Sequence, residues 1–278
     1  MLRLCQMPEE FSSLTSLKTL SLRGVVLPER MEWLSNLETL HVRRCILEQL
    51  PASFTQLISM TSLELGHCEI EELPDGLENL RNMQHLNINR CPALRRIPDS
   101  VSTLTSLVTL TIEFCPGLSL LPSRLSSLEK LKRLRVVLCE RLKQFPTSLP
   151  LSLEVLSWKN NGQVASFPQI SQPFCLRNLE LGLADGVERL SVPWRSLGHL
   201  HVLSILNGKR ILTLPENIGS ALQQLRDLRV CNFEELRELP ETVSQLQHLT
   251  LLKVLAPKLT SIPDGIGRLS RLRELDLP

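Results

Sequence analysis

The stretch LRNMQHLNINRCPALRRIPDSVSTL, from Leu80 to Leu104, decides the fold. Its apolar residues fall at Leu80, Met83, Leu86, Ile88, Cys91, Leu94, Ile97 and Val101, with Pro98 behind Ile97. The next stretch repeats the spacing with Leu104, Leu107, Leu110, Ile112, Cys115, Leu118, Leu121-Pro122 and Leu125. The one after it runs Leu128, Leu131, Leu134, Val136, Cys139, Leu142, Phe145-Pro146 and Leu149. Working outward, units start at 14, 34, 57, 80, 104, 128, 150, 173, 194, 222, 246 and 269, a period of about 23 residues. So many matches over one chain exclude coincidence.

The spacing dictates a solenoid. In Leu86-x-Ile88 alternate side chains share a face, which is a short strand. One unit cannot bury its apolar side alone, so units stack and bury it between neighbours. The expected fold is a single domain over 1–278. It is an α/β leucine-rich-repeat solenoid of about 11–12 repeats, with parallel strands on the concave face of a curved horseshoe. The pairs Leu50-Pro51, Leu73-Pro74, Leu239-Pro240 and Ile262-Pro263 belong on the opposite side, because Pro has no N–H for a ladder. Composition agrees. The chain is 42% apolar but only 4% aromatic, with no Tyr, so its core is built from Leu, Ile and Val in thin layers.

The motif Leu-xx-Leu-xx-Leu-x-Leu-xx-Cys-xx-Leu-xx-Leu-Pro resembles the leucine-rich-repeat domain of plant intracellular immune receptors of the nucleotide-binding type. Cys45, Cys68, Cys91, Cys115 and Cys139 take its Cys/Asn position, and CPALRRIPDSVSTL and CPGLSLLPSRLSSL match it closely. The tails LPENIGSAL and IPDGIGRL are also similar to intracellular scaffolds of the Ras-group repeat type, the alternative reading. The receptor resemblance implies ligand binding on the concave face and an upstream nucleotide-binding switch. No Gly-xxxx-Gly-Lys-(Ser/Thr) occurs here; Gly208-Lys209 lacks both the Ser/Thr and the preceding glycine. The chain opens in mid-repeat at Leu4-xx-Met7-Pro8 and stops at Leu275-x-Leu277-Pro278, so we expect a fragment of a longer protein.

The charge balance, 31 basic against 29 acidic residues, argues against a general nucleic-acid or membrane-surface binder. No apolar run reaches the length of a membrane span. No Asn-x-Ser/Thr sequon occurs, which favours a cytoplasmic address. Cys spacings of 23 or 24 suit neither zinc pairs nor disulfide caps, so the Cys column is read as reduced core. Cys231 falls on an outward strand position and is the best candidate for a reactive thiol. No nucleophile arrangement is legible, and no catalytic residue, cofactor or metal is assigned.

Outward positions lie five, seven, nine and ten residues after each unit start. The central column is then Ser21, His41, Glu64, Asn87, Thr111, Arg135, Ser157, Glu180, His201, Arg229, Lys253 and Asp276. His41, His67, His85, His199 and His201 all fall outward, but no third ligand joins His199 and His201 into a metal site. Arg23, Arg43, Arg44, His67 and Arg90 form one basic patch; Arg133, Arg135 and Lys159 form a second, beside Glu113, Phe114, Val137 and Leu138. Arg and aromatic residues beside small apolar patches anchor protein interfaces. The expected protein-binding face therefore comprises Arg23, His41, Arg43, Arg44, Glu64, His67, His85, Asn87, Arg90, Glu113, Phe114, Arg133, Arg135, Lys159, His201 and Arg229. Its partner is a protein: an effector, a host protein, or the receptor's own nucleotide-binding domain. Later units are looser. Asn161, Ala184, Ile205, Phe233 and Pro257 hold the consensus Cys position, and LNGKRILT reads as an inserted loop ahead of Leu214-Pro215.

Overall fold

A computed structural model of the chain describes residues 5–6, 12–45, 47–142, 144–161, 167 and 175–278. The opening at Leu4, Met7 and Pro8 and the unit start at Pro173 lie outside them. The chain forms two compact units, Met1–Leu142 and Lys143–Pro278.

In the first unit six strands run parallel in chain order: β2 (Thr19–Arg23), β4 (Thr39–Arg43), β5 (Ser62–Gly66), β6 (His85–Asn89), β7 (Thr109–Glu113) and β8 (Arg133–Val137). A separate parallel pair joins β1 (Cys5–Gln6) to β3 (Val25–Val26). The second unit also has six parallel strands: β9 (Val155–Lys159), β10 (Asn178–Gly182), β11 (Val202–Leu206), β12 (Asp227–Cys231), β13 (Leu251–Leu255) and β14 (Glu274–Asp276). Every strand buries its second and fourth residues wherever the repeat is regular, as Leu86 and Ile88 do in β6. This is the alternation that Leu-x-Leu dictates.

The Leu-Pro pairs behave as their chemistry requires. Gln49, Glu72, Arg96 and Leu120 form a second run of parallel bridges away from the main sheet, and Thr213, Glu238 and Ser261 form another. Each lies directly before a Leu-Pro or Ile-Pro pair. The apolar member is buried at Leu50, Leu73, Ile97 and Leu239. The proline then opens a 3-10 turn at Ala52–Gln56, Asp99–Thr103, Glu241–Gln245 and Asp264–Arg268, with φ between −68° and −55°. Its fixed φ suits that place, where no ladder N–H is needed. Among the described residues the one α-helix is the single turn Ile218–Ala221, and no helix is long and apolar enough to cross a membrane.

The Cys column is core. Cys45, Cys68, Cys91, Cys115 and Cys139 are buried free thiols. Each Sγ donates to the carbonyl two residues back: Arg43 at 3.5 Å, Gly66 at 3.5 Å, Asn89 at 3.6 Å, Glu113 at 3.3 Å and Val137 at 3.7 Å. Each of these carbonyls, the last of its strand, also accepts a backbone N–H from the preceding unit, so the thiol adds a second bond there while its small side chain fills the core.

Two registers differ from the sequence expectation. The unit placed at 194 starts at Leu197. Leu197 and Leu200 take the first two core positions, both fully buried, while Leu203 and Ile205 are the inward residues of β11. Gly208, not Ile205, therefore stands at the Cys position. LNGKRILT is then no insertion: Ile211 and Leu214 fill the regular apolar sites and are buried. In the following units, Phe233 fills the Cys position as expected, but Ala256 turns inward in place of Pro257. Phe233 is too large for a column made for Cys, and Gly208 makes the room. A Cβ on Gly208 would lie 2.4 Å from the Phe233 ring.

Candidate protein-binding face

The outward column of the first unit stands as the spacing required. The register pairs Ser21 with His41, His41 with Glu64, Glu64 with Asn87, Asn87 with Thr111 and Thr111 with Arg135. Strands one step apart bring residues 20 or more positions apart into contact. His41 Nδ1 lies 2.9 Å from Glu64 Oε2, and the Arg43 guanidinium donates to Glu64 Oε1 at 2.6 Å through Nη2. Arg135 Nε donates to Glu113 Oε1. Asn89 Nδ2 reaches Glu113 Oε2 at 3.5 Å. Beside them Asn87 Oδ1 is buried and has no hydrogen-bond partner among the described residues. Much of the charge on this face is thus neutralised within it.

One row is different. The residue after each strand adopts a left-handed backbone: Gly24 at φ 67°, Arg44 at 55°, His67 at 55°, Arg90 at 55°, Phe114 at 54° and Leu138 at 57°. Its N–H extends the ladder by one bond, as from Arg44 to Gly66 O at 2.8 Å and from Phe114 to Val137 O at 2.9 Å. Side chains rarely tolerate this conformation, and a bulky one such as Phe114 is a real outlier. The row forms a ridge along the C-terminal edge of the sheet. The Arg90 guanidinium carbon sits 4.5 Å from the Phe114 ring centroid. His67, Arg90, Pro92, Phe114, Pro116, Leu138 and Glu140 line a shallow groove of about 420 Å³. Among the described residues Arg44 and Arg90 belong to no ion pair. Phe114 is 37% exposed.

The other expected residues divide by position. Arg23 closes β2 in register with Arg43, and both are exposed. His85 and Arg133 open β6 and β8 and are exposed. Val137, outward by register, is nevertheless buried. In the second unit Lys159 pairs with Glu180 at 2.7 Å, and Ser157 Oγ donates to the same carboxylate at 2.8 Å. Arg229 is held by Asp227 of its own strand through bonds of 3.0 and 2.9 Å. His201 is a correction. With β11 starting at Val202, Ser204 stands between Glu180 and Arg229, and His201 lies before the strand, as does His199. Cys231 is outward on β12 as expected. Burial pushes its thiol above the ordinary range, against the lowering by Lys253 and Arg229, so it is not an activated nucleophile.

Sequence reasoning missed a ladder of amides in the second unit. Asn160, Asn207 and Asn232 occupy the left-handed position at φ 51°, 64° and 60°. Asn232 Nδ2 donates to Asn207 Oδ1, and Asn207 Nδ2 donates to Asn160 Oδ1, both at 3.0 Å. Asn tolerates this backbone better than most residues, which was the available signal.

The leucine-rich repeat region model matches residues 4–183. Among curated proteins none matches the sequence. Among solved structures, the chain is similar to a leucine-rich-repeat protein of Leptospira interrogans, at 24% identity and TM-score 0.56, over 98% of this chain and 81% of that one. It is similar to the leucine-rich repeat domain of the type III effector XopL, at 21% identity and TM-score 0.59, over 97% and 79%. It also resembles TLR13, solved as a complex with ssRNA13, at 18% identity and TM-score 0.63, over 95% of this chain and 47% of that one. At these identities the likeness concerns the fold. With the family model covering most of its length, the chain belongs to the leucine-rich-repeat family.

Proposed function

We propose that this chain is the recognition and autoinhibitory region of a plant intracellular immune receptor, and that it binds a protein on the strand face. The reading assigns it binding and no reaction. The observation that carries the site is the ridge Arg44, His67, Arg90 and Phe114. On a face where Glu64 and Glu113 already neutralise Arg43 and Arg135, this ridge keeps guanidinium groups that enter no ion pair among the described residues, with Arg90 over an exposed aromatic ring. Such groups gain most on desolvation by a complementary partner. The column of cysteines and the Leu-Pro motif support the receptor reading through the resemblance they carry.

The test has two arms. The gene upstream of Met1 should encode a nucleotide-binding domain with the Gly-xxxx-Gly-Lys-(Ser/Thr) loop; a natural start in its place supports the free-standing Ras-group type of scaffold. That domain, expressed apart, should bind the 278-residue chain. Arg44→Glu and Arg90→Glu should each weaken the complex by about tenfold or more, about 1.4 kcal/mol. Unchanged affinity in both variants moves the site off this ridge.

A further inference from the structure

The second unit carries a cleft of about 740 Å³ at the N-terminal edge of its sheet, away from the strand face. The repeat itself builds it. Arg177, His201 and Arg226 each stand one residue before a strand. The ladder stacks their backbones: His201 N–H donates to Arg177 O at 2.7 Å, and Arg226 N–H donates to His201 O at 2.8 Å. Neighbouring strands set such a row at steps of about 4.8 Å. A second row stands three residues before the same strands and holds Cys175, His199 and Gln224. Arg195, from the 3-10 turn Trp194–Leu197, adds a third side to the lining.

The described lining carries two guanidinium groups and two imidazoles against one carboxylate. Arg177, Arg195, His199 and His201 face the cleft, and among the described residues Glu154 is the one acidic lining residue. Among the described residues Arg177, Arg195 and Arg226 enter no ion pair, whereas cations elsewhere in this unit, such as Lys159, Arg229 and Lys253, do. Like charges gathered in a cavity repel one another, and an anion relieves them. His201 feels this crowding: burial first, then Arg226, Arg177 and His199, hold its imidazole below the ordinary 6.5.

We propose that this cleft binds a small polyanion carrying two or more phosphate groups. The volume matches a small-ligand site and falls within the usual range of about 300–1,000 Å³. Guanidinium forks match phosphate oxygens in pairs, and the amide of Gln224 stands at the wall as a neutral donor. Arg177 on the row and Arg195 on the turn stand on different elements, which suits two phosphates on one ligand better than a single ion. A long nucleic-acid strand would need the row to continue. It stops at Glu154 on one side and at Thr250, before β13, on the other.

The probe is inorganic tripolyphosphate, titrated calorimetrically into the full 278-residue chain. Saturable one-to-one binding is expected. Arg177→Gln and Arg195→Gln should each weaken it by about tenfold or more, and Arg268→Gln, on a distant turn, should leave it unchanged. The two sensitive positions lie on different elements, so a folding defect in one variant, seen as a lowered Tm, leaves the other to decide. Three results overturn the proposal: no saturable binding, equal affinity in all three variants, or orthophosphate binding as tightly as tripolyphosphate. A phosphoserine peptide that binds more tightly than tripolyphosphate would assign the cleft to a protein partner and overturn the small ligand.

Discussion

The Arg90 guanidinium lies over the ring of Phe114, 4.5 Å from its centroid, and both residues are held in left-handed backbone. The contact is made on the surface, so it decides little about folding. Phe114→Ala should lower the unfolding free energy by only about 0.5 kcal/mol, the scale of an exposed cation–π pair. Phe114→Gly should be more stable than Phe114→Ala by about 0.5–1 kcal/mol, because Gly adopts φ 54° without the Cβ penalty. Urea denaturation of the three proteins measures both. An Ala variant that equals the Gly variant contradicts the backbone assignment.

Inward neighbours should respond very differently. Ile112 and Leu134 are fully buried on β7 and β8. Ile112→Ala or Leu134→Ala should cost about 2–5 kcal/mol through lost burial and the cavity left behind. A loss below about 1 kcal/mol in both would place these residues outside the core.

The cysteine column makes the fold sensitive to alkali. A hydrogen bond with Cys115 and burial push Cys91 up to about 12, and burial pushes Cys139 up to about 11. Cys68 is raised in the same direction, first by its contact with Cys91. The unfolded thiols ionise near the ordinary 9.0, so the unfolded state sheds protons first. Stability is therefore full below that value and falls as pH rises towards 11–12. Urea midpoints across this range should drop. The Cys91→Val/Cys139→Val double variant should drop less steeply, which separates the thiols from lysine titration. In the native state at neutral pH the column should not react with a thiol reagent, and it should react after unfolding.

Gly208 and Phe233 should be energetically coupled. Any side chain at 208 meets the Phe233 ring, so Gly208→Ala should cost about 1–3 kcal/mol by overpacking. In a Phe233→Leu background the same change should cost less, with a coupling of at least about 0.5 kcal/mol in a double-mutant cycle. Additive losses would mean that the ring does not occupy the space a Cβ needs.

The sequence by itself determined the period, the inward and outward columns from Leu34 to Leu149, and the buried Cys column. Those follow from local alternation and from an apolar spacing that only stacking can bury. Tertiary structure decided the register around Leu197. Apolar residues at 194, 197 and 200 recur every third residue, so a start at Trp194 and a start at Leu197 both satisfy the first positions of the motif. Only pairing with the neighbouring strands, Leu203 against Leu179 on one side and Leu228 on the other, selects Leu197. That choice removed His201 from the strand face, dissolved the supposed insertion, and placed Gly208 against Phe233. The same reason governs charge. Whether an outward Arg is neutralised, as Arg43 is by Glu64, or rests on an aromatic ring, as Arg90 does on Phe114, depends on the side chain one strand away, more than 20 residues distant in the chain. Local pattern fixes which way a side chain faces; the repeats stacked beside it fix what it meets.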